Sequence, residues 1–239
     1  MIIFGDCLSE LIKIDNNIID LIIIDPPYII SKNSNFKKIS NSTSKEMATK
    51  YNISIDFGDW DKVDLEWDLL FKEYNRVLKK GGTIIIFYDV WKSNELKLAA
   101  ESVGLKQPRV CVWNKTNPVP INSSINYLSN ASEYFFTFVK GGKPTFNSKY
   151  DNGVYNYPIC HGRERYKHPT QKPLSLISEL IKKHSNPGDL VLDSFAGTGT
   201  TGHASKLLDR KFILIEKEEE YIDIIHERLE KIKQDIKSE

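Results

Sequence analysis

The sequence predicts an α/β fold: a seven-stranded, mostly parallel sheet with one antiparallel edge strand and helices on both faces. Three observations carry this. Short apolar runs rich in Ile, Val and Phe alternate with amphipathic stretches, as strands covered on both faces by helices do. Two of these runs lead straight into turn-forming motifs, Asp25-Pro26-Pro27-Tyr28 and Phe195-Ala196-Gly197-Thr198-Gly199. The last two runs before the chain becomes irregular have no long helix between them, which predicts an antiparallel pair.

In chain order the strands are expected over 2–4, 20–25, 83–88, 109–113, 133–139, 190–194 and 212–216. Helices are expected over roughly 8–14, 65–79, 92–103, 173–183, 200–208 and 219–236. Gly81-Gly82 is read as the stop of the second helix, and Pro173 opens the fourth at a first-turn position. Asn186-Pro187-Gly188 makes the turn that follows. Tyr221, Ile222, Ile225, Leu229 and Ile232 form a helical apolar stripe, which assigns them to the core.

A chain of 239 residues with 40% hydrophobic content suits one domain, 1–239, with a real core. The net charge of +1 gives no overall field that would recruit a polyanion, so a nucleic-acid partner must be argued from local charge. Residues 29–58 carry five Lys against Glu46 and Asp56, within an irregular basic loop expected over 29–60. Residues 140–172 carry seven Lys/Arg against Asp151 and Glu164. Irregular segments of this length inside a compact domain are commonly functional. From Glu216 to the end, nine acids face five bases, the pattern of a solvated helix turned away from phosphates. Cys7, Cys111 and Cys160 form no C-x-x-C pair and suggest neither disulfides nor a metal site. No signal-peptide pattern or membrane-length apolar run is present in the sequence, so a cytoplasmic protein with no membrane partner is expected.

Two motifs carry chemistry. Residues 190–194 run into Phe195-Ala196-Gly197-Thr198-Gly199-Thr200-Thr201-Gly202, a strand, a Gly-rich turn and a helix, and the next strand ends on Glu216. Glycines allow close approach of a ligand to the backbone, and an acid about twenty residues on can accept from ribose hydroxyls. This is nucleoside-cofactor geometry; the spacing differs from the usual dinucleotide pattern and the run lacks a P-loop Lys, so NAD and ATP are the weaker readings. Asp25-Pro26-Pro27-Tyr28 ends an apolar strand, and ligands of open α/β sheets bind at carboxyl ends of strands, so both motifs can face one crevice. An ionised Asp and a backbone carbonyl that accept the hydrogens of a base amine would aim its lone pair at a methyl donor. Tyr28 offers a face on which an extruded base can stack.

With these motifs the chain resembles the DNA amino-methyltransferases of the beta arrangement, in which the catalytic motif precedes the target-recognition segment and the cofactor motif comes last. The likeness extends to Gly5-Asp6, Gly58-Asp59-Trp60-Asp61, Arg76-Val77-Leu78, Trp113 to Pro118, Glu133-Tyr134 and His168-Pro169-Thr170-Gln171-Lys172-Pro173. The resemblance implies a Rossmann-like, S-adenosylmethionine-dependent methyltransferase that needs no metal, with Asp25, Pro26, Pro27 and Tyr28 catalytic. It implies a cofactor site of Asp6, Cys7, Asp25, His168, Thr170, Gln171, Lys172, Asp193, Phe195, Ala196, Gly197, Thr198, Gly199, Thr200, Thr201 and Glu216. Asp6 would lie by the adenine and Glu216 by the ribose; Thr170, Gln171 and the following helix start would hold the methionine part. Helix capping is the alternative role for Asp6 and Thr170. Position 194 is Ser where the family more often has Pro.

DNA is the expected partner, with a homodimer and an associated restriction enzyme as further implications of the resemblance. The recognition segment, 141–167, is short, so DNA contacts would be shared with the basic loop. Lys32, Lys37, Lys38, Lys143, His161, Arg163, Arg165 and Lys167 are candidates for phosphate or guanine contacts, and Asn147, Asn152 and Asn156 for adenine edges. Asp rather than Ser at position 25 favours the 6-amino group of adenine over the 4-amino group of cytosine. RNA or a protein glutamine as substrate, and a catalytically dead DNA-binding subunit, are the other readings.

Overall fold

The computed structural model describes residues 1–27, 65–118, 131–166 and 170–237. By its contacts the chain divides into two units, Met1–Pro26 with Glu66–Glu239, and Pro27–Leu65. All the secondary structure described belongs to the first unit. The expected basic loop over 29–60, with Lys32, Lys37 and Lys38, and the motif residue Tyr28 fall outside the described residues.

The order of elements is β1 (Ile2–Phe4), α1 (Cys7–Leu11), β2 (Ile19–Ile24), α2 (Trp67–Val77), β3 (Leu78–Phe87), α3 (Ser93–Ser102), β4 (Lys106–Lys115), β5 (Ser132–Val139), β6 (Val154–Tyr157), α4 (Leu174–His184), β7 (Leu190–Asp193), α5 (Thr200–Leu207), β8 (Lys211–Glu216) and α6 (Glu219–Lys237). Among the described residues, none of the helices is long and apolar enough to cross a membrane.

Among the described residues eight strands, rather than the seven expected, form one sheet in the order β1-β8-β7-β2-β3-β5-β4-β6. Of these eight, β5 alone runs against its neighbours, and it sits between β3 and β4 instead of at the edge. The edge is taken by β6, which pairs parallel to β4 from Val112↔Val154 to Lys115↔Tyr157. Its four residues, Val-Tyr-Asn-Tyr, bury Tyr155 and leave Val154 exposed, too brief an alternation to announce a strand in sequence.

Gly81-Gly82 does not stop α2, as expected, but lies inside β3. The helix ends at Val77 because Leu78 turns to extended backbone and the Lys140 ammonium takes the carbonyls of Asn75 and Leu78 at 2.5 and 2.7 Å. A cation at a helix C-terminus is favoured by the dipole. Gly81, at φ 84°, is held by its N–H to Lys140 and Gly141 carbonyls, and a Cβ there would meet the Lys143 carbonyl at 2.7 Å.

Strand alternation sends Leu21, Ile23, Ile85 and Phe87 to one face, where they pack with Leu176, Ile177, Leu180 and Ile181 of α4 and Ala204 of α5. On the other face, Phe71 of α2 meets Phe138 edge-on at 5.6 Å between ring centres, and Trp67 donates to the Tyr88 hydroxyl at 3.0 Å. Ile225, Leu229 and Ile232 of α6 pack over Ala196 and Leu214. Burying a side chain such as Phe71 or Leu180 contributes about 1.5–3 kcal/mol.

Candidate active site

The carboxyl ends of β2, β3 and β7 open into one cleft, lined by Asp25, Phe87, Lys172, Asp193, the turn Phe195–Thr198, Thr170, Gln171, Thr200 and Thr201. Most residues assigned to the cofactor thus come together. Ile23, Ile24, Phe87 and Ile177 also line the cleft. The sequence presents these four only as members of apolar runs.

The Gly-rich turn is braced from several sides. Asp193 accepts from the Phe195 amide at 3.0 Å and from the Thr201 hydroxyl at 2.6 Å, tying the end of β7 to the start of α5. Burial, then its charged neighbours Asp25 and Glu216, outweigh those two bonds and push the Asp193 carboxyl up to about 7. Ser194 is bonded to the buried Tyr74 hydroxyl at 2.7 Å, which fixes the turn against α2. Gly199 ends the turn at φ 76°, and a Cβ would come within 2.9 Å of the Ile225 side chain. Gly199→Ala is therefore expected to cost about 1–3 kcal/mol of unfolding free energy in urea titrations.

Glu216 closes the far side. Its carboxylate accepts from the amides of Gly197 at 2.6 Å, Lys217 at 2.9 Å and Glu218 at 3.0 Å, and burial raises its pKa. Gly5 donates to the Glu216 carbonyl, and Phe4 pairs with Glu216 across β1 and β8. Asp6 is thereby set beside this strand end, with its Oδ1 capping α1 through the Ser9 amide at 3.0 Å. The Cys7 thiol is pushed up to about 12, first by burial and then by Asp6.

An unexpected brace is Arg228. This side chain is 1% exposed. It donates to His203 Nδ1 at 2.9 Å, to the Thr198 carbonyl at 3.2 Å and to the Thr200 hydroxyl at 3.0 Å, with Tyr166 over its guanidinium at 4.9 Å. Its spacing of three from Ile225 and four from Ile232 is the signal that places it on the buried stripe.

Gln171 holds the chain's own backbone: it accepts from Tyr166 N–H at 3.0 Å and donates to the Glu164 carbonyl at 2.8 Å. Glu164 in turn accepts from the Leu174 amide at 2.7 Å, so an internal carboxylate takes one amide at the start of α4. Cys160 donates to the Gln171 carbonyl at 3.4 Å, and burial and Glu164 raise its thiol to about 12. His168 and Lys167, and the side chain of Arg163, lie outside the described residues.

The remaining candidates separate. His161 and Arg165 are exposed on the segment that Gln171 holds at the cleft. Lys143 is exposed beside Gly81, near the amino end of β3 and so across the sheet from the cleft. Asn147 is committed to the C-terminus of α4, donating to the Lys182 and Ser185 carbonyls. Asn152 accepts from the Val154 amide, and Asn156 from the Asn114 amide group. Local polar groups that needed partners claimed these three asparagines.

Asp25 stands at the carboxyl end of β2, half-buried, with Pro26 buried behind it. Its Oδ2 pairs with the Lys172 ammonium at 2.5 Å, while Oδ1 is shielded from solvent and has no hydrogen-bond partner among the described residues. Lys172 also reaches Glu133 Oε2 at 3.3 Å, and Glu133 Oε1 pairs with Lys115 at 2.8 Å. Burial raises the Asp25 pKa, partly offset by Lys172. For Glu133 burial acts upward, but Lys172 and Lys115 together hold it below its ordinary value.

A Gly-rich turn after β7, an acid ending β8, and an acid ending β2 over a shared cleft define the Rossmann-like methyltransferase architecture. A family model described as DNA methylase (N6_N4_Mtase) matches residues 19–227. The type II methyltransferase M.HinfI of Haemophilus influenzae is 33% identical over 97% of this chain and 68% of that protein. M2.DpnII of Streptococcus pneumoniae is 33% identical over 96% of this chain and 89% of that protein. The crystal structure of an M1.HpyAVI–SAM complex superposes with a TM-score of 0.69 at 27% identity, covering 96% of this chain and 98% of that one. The PvuII cytosine-N4-specific DNA methyltransferase, at 18% identity and a TM-score of 0.72 over 95% and 85% of the chains, shares the fold. The chain belongs to the DNA methylase family, the amino-methyltransferases that move a methyl group from S-adenosylmethionine to an exocyclic amine of a DNA base.

Proposed function

We propose that this protein methylates the 6-amino group of adenine at a specific site in DNA, and that it acts in the cytoplasm, where its substrate is. The observation that carries the reading is Asp25 itself: an acid at the first motif position, in the cleft, with Oδ1 unpartnered among the described residues. An orphaned buried acceptor is costly unless a donor arrives, and a base amine is such a donor.

The residues present fit the cofactor. Asp25, Asp193 and Glu216 gather acidic groups at the cleft against the Lys172 ammonium, an environment suited to a cation. When bound, S-adenosylmethionine supplies an electrophilic methyl group on a positively charged sulfur. The turn Phe195–Thr198 and Glu216 would hold it. Asp25 accepts one amine hydrogen and thereby draws the nitrogen lone pair out of conjugation and toward the methyl group. The proton is released after transfer, and no covalent enzyme intermediate is formed. Cys7, with its thiol near 12, is correspondingly inert.

Cytosine is the second reading, since the family includes enzymes for both amines. Incubating duplex DNA with methyl-tritiated cofactor and digesting it to nucleosides is expected to give label in 6-methyladenine. Label in 4-methylcytosine would overturn the assignment.

A further inference from the structure

Lys172 was expected at the cofactor, yet its ammonium lies between two carboxylates. The side chain is 5% exposed, with Asp25 Oδ2 at 2.5 Å, Glu133 Oε2 at 3.3 Å, and the Phe87 ring centre at 5.0 Å. Beyond Glu133 stands Lys115, so that Asp25, Lys172, Glu133 and Lys115 alternate in sign across the ends of β2, the approach to α4, β5 and β4. Glu133 reaches this end of the sheet because β5 is antiparallel: its first residues lie where its neighbours finish, with Trp113 opposite Glu133.

We propose that Lys172 is a positioning residue for methyl transfer, clamping Oδ2 of Asp25 so that Oδ1 faces the base amine, while Glu133 limits how strongly it holds. The inference rests on the reading of Asp25 as the amine acceptor. A single ammonium contact fixes the rotation of the carboxylate and leaves the second oxygen as the acceptor in the cleft. It also favours the ionised carboxylate against the upward push of burial. Without the cation, two carboxylates would face each other in a poorly solvated site, and one would take up a proton. A protonated Asp25 would hold the amine less well. The charged groups around Asp25 are Lys172, Glu133 and, from β7, Asp193; the first favours the ionised carboxylate and the others oppose it.

Lys172 and its carboxylate neighbour Glu133 give a test with opposite signs. Lys172→Met removes the cation, so the Asp25 pKa rises and the acid limb of the single-turnover rate against pH moves up by about one unit or more. At neutral pH the rate is expected to fall about 100-fold, with the dissociation constant for S-adenosylmethionine changing less than about threefold. Glu133→Gln removes the opposing charge and is expected to move the same limb down. An ion pair that holds the fold without bearing on the carboxylate that governs the rate would leave the limb in place in both variants.

Rates are read with methyl-tritiated cofactor on unmethylated duplex DNA, and cofactor binding by calorimetry. Limbs that stay in place, or move together, overturn the inference. Should Lys172→Met fail to bind cofactor, the direction of the Glu133→Gln limb decides alone. Asp25→Ala run alongside separates the two ideas. If it retains turnover, the acceptor reading fails and this inference with it; if it is inactive while the limbs do not move, only the inference fails.

Discussion

Asp25→Ala is expected to lower the single-turnover rate of methyl transfer by about 10³-fold or more while changing cofactor affinity by less than about tenfold. The size follows from what the carboxylate does. A preorganised acceptor aimed at developing charge is worth about 10²–10³ in rate, and loss of amine orientation adds to it. Affinity is spared because the turn Phe195–Thr198 is braced by Asp193, Glu216 and Arg228, none of which is altered. Stopped single-turnover assays with saturating cofactor check the rate, and calorimetry checks the affinity. A variant that turns over at near the parental rate would remove Asp25 from the chemistry.

The second large effect is expected far from the reacting atoms. Arg228→Leu should lower unfolding stability by about 2–4 kcal/mol and weaken S-adenosylmethionine binding at least tenfold. The guanidinium satisfies His203 Nδ1, the Thr198 carbonyl and the Thr200 hydroxyl in a dry site, and each acceptor left without a donor costs about 1–3 kcal/mol. His203 is already held neutral, its pKa lowered to about 4 by burial and by Arg228. Thr198 and Thr200 line the cleft, so their displacement reaches the ligand. Urea unfolding and calorimetry measure the two effects. A loss of stability without a loss of affinity would limit Arg228 to the fold.

What the sequence revealed and what it hid divide along a physical line. The runs that became β2, β3, β7 and β8 were legible because strands covered on both faces must be apolar throughout. The turn at Phe195–Gly199 and the acid at Glu216 were legible because close backbone approach restricts residue choice. Arg228 was hidden by its company: a charge within a tail rich in acids reads as solvated surface, and only its register with Ile225 and Ile232 betrays burial. Lys172 and Glu133 were visible as motif letters, but the ion pairs that give them meaning span 147 positions from Asp25 to Lys172. Asn147, Asn152 and Asn156 were visible only as polar residues of an irregular segment, and the local hydrogen bonds they make could not be read there.

The lone reversed strand has a consequence for how the two halves of the sheet are joined. Because β5 alone turns back, the chain leaves both β4 and β6 at the same rim as the cleft, on the half of the sheet distant from β1, β8 and β7. The segment that follows Tyr157 returns from that rim to the methyl-donor half, where Tyr166 lies over Arg228 and Glu164 takes the Leu174 amide. The two wings of the sheet are thus stitched together by a chain that must cross back over the cleft, so a change made at one rim is felt at the other.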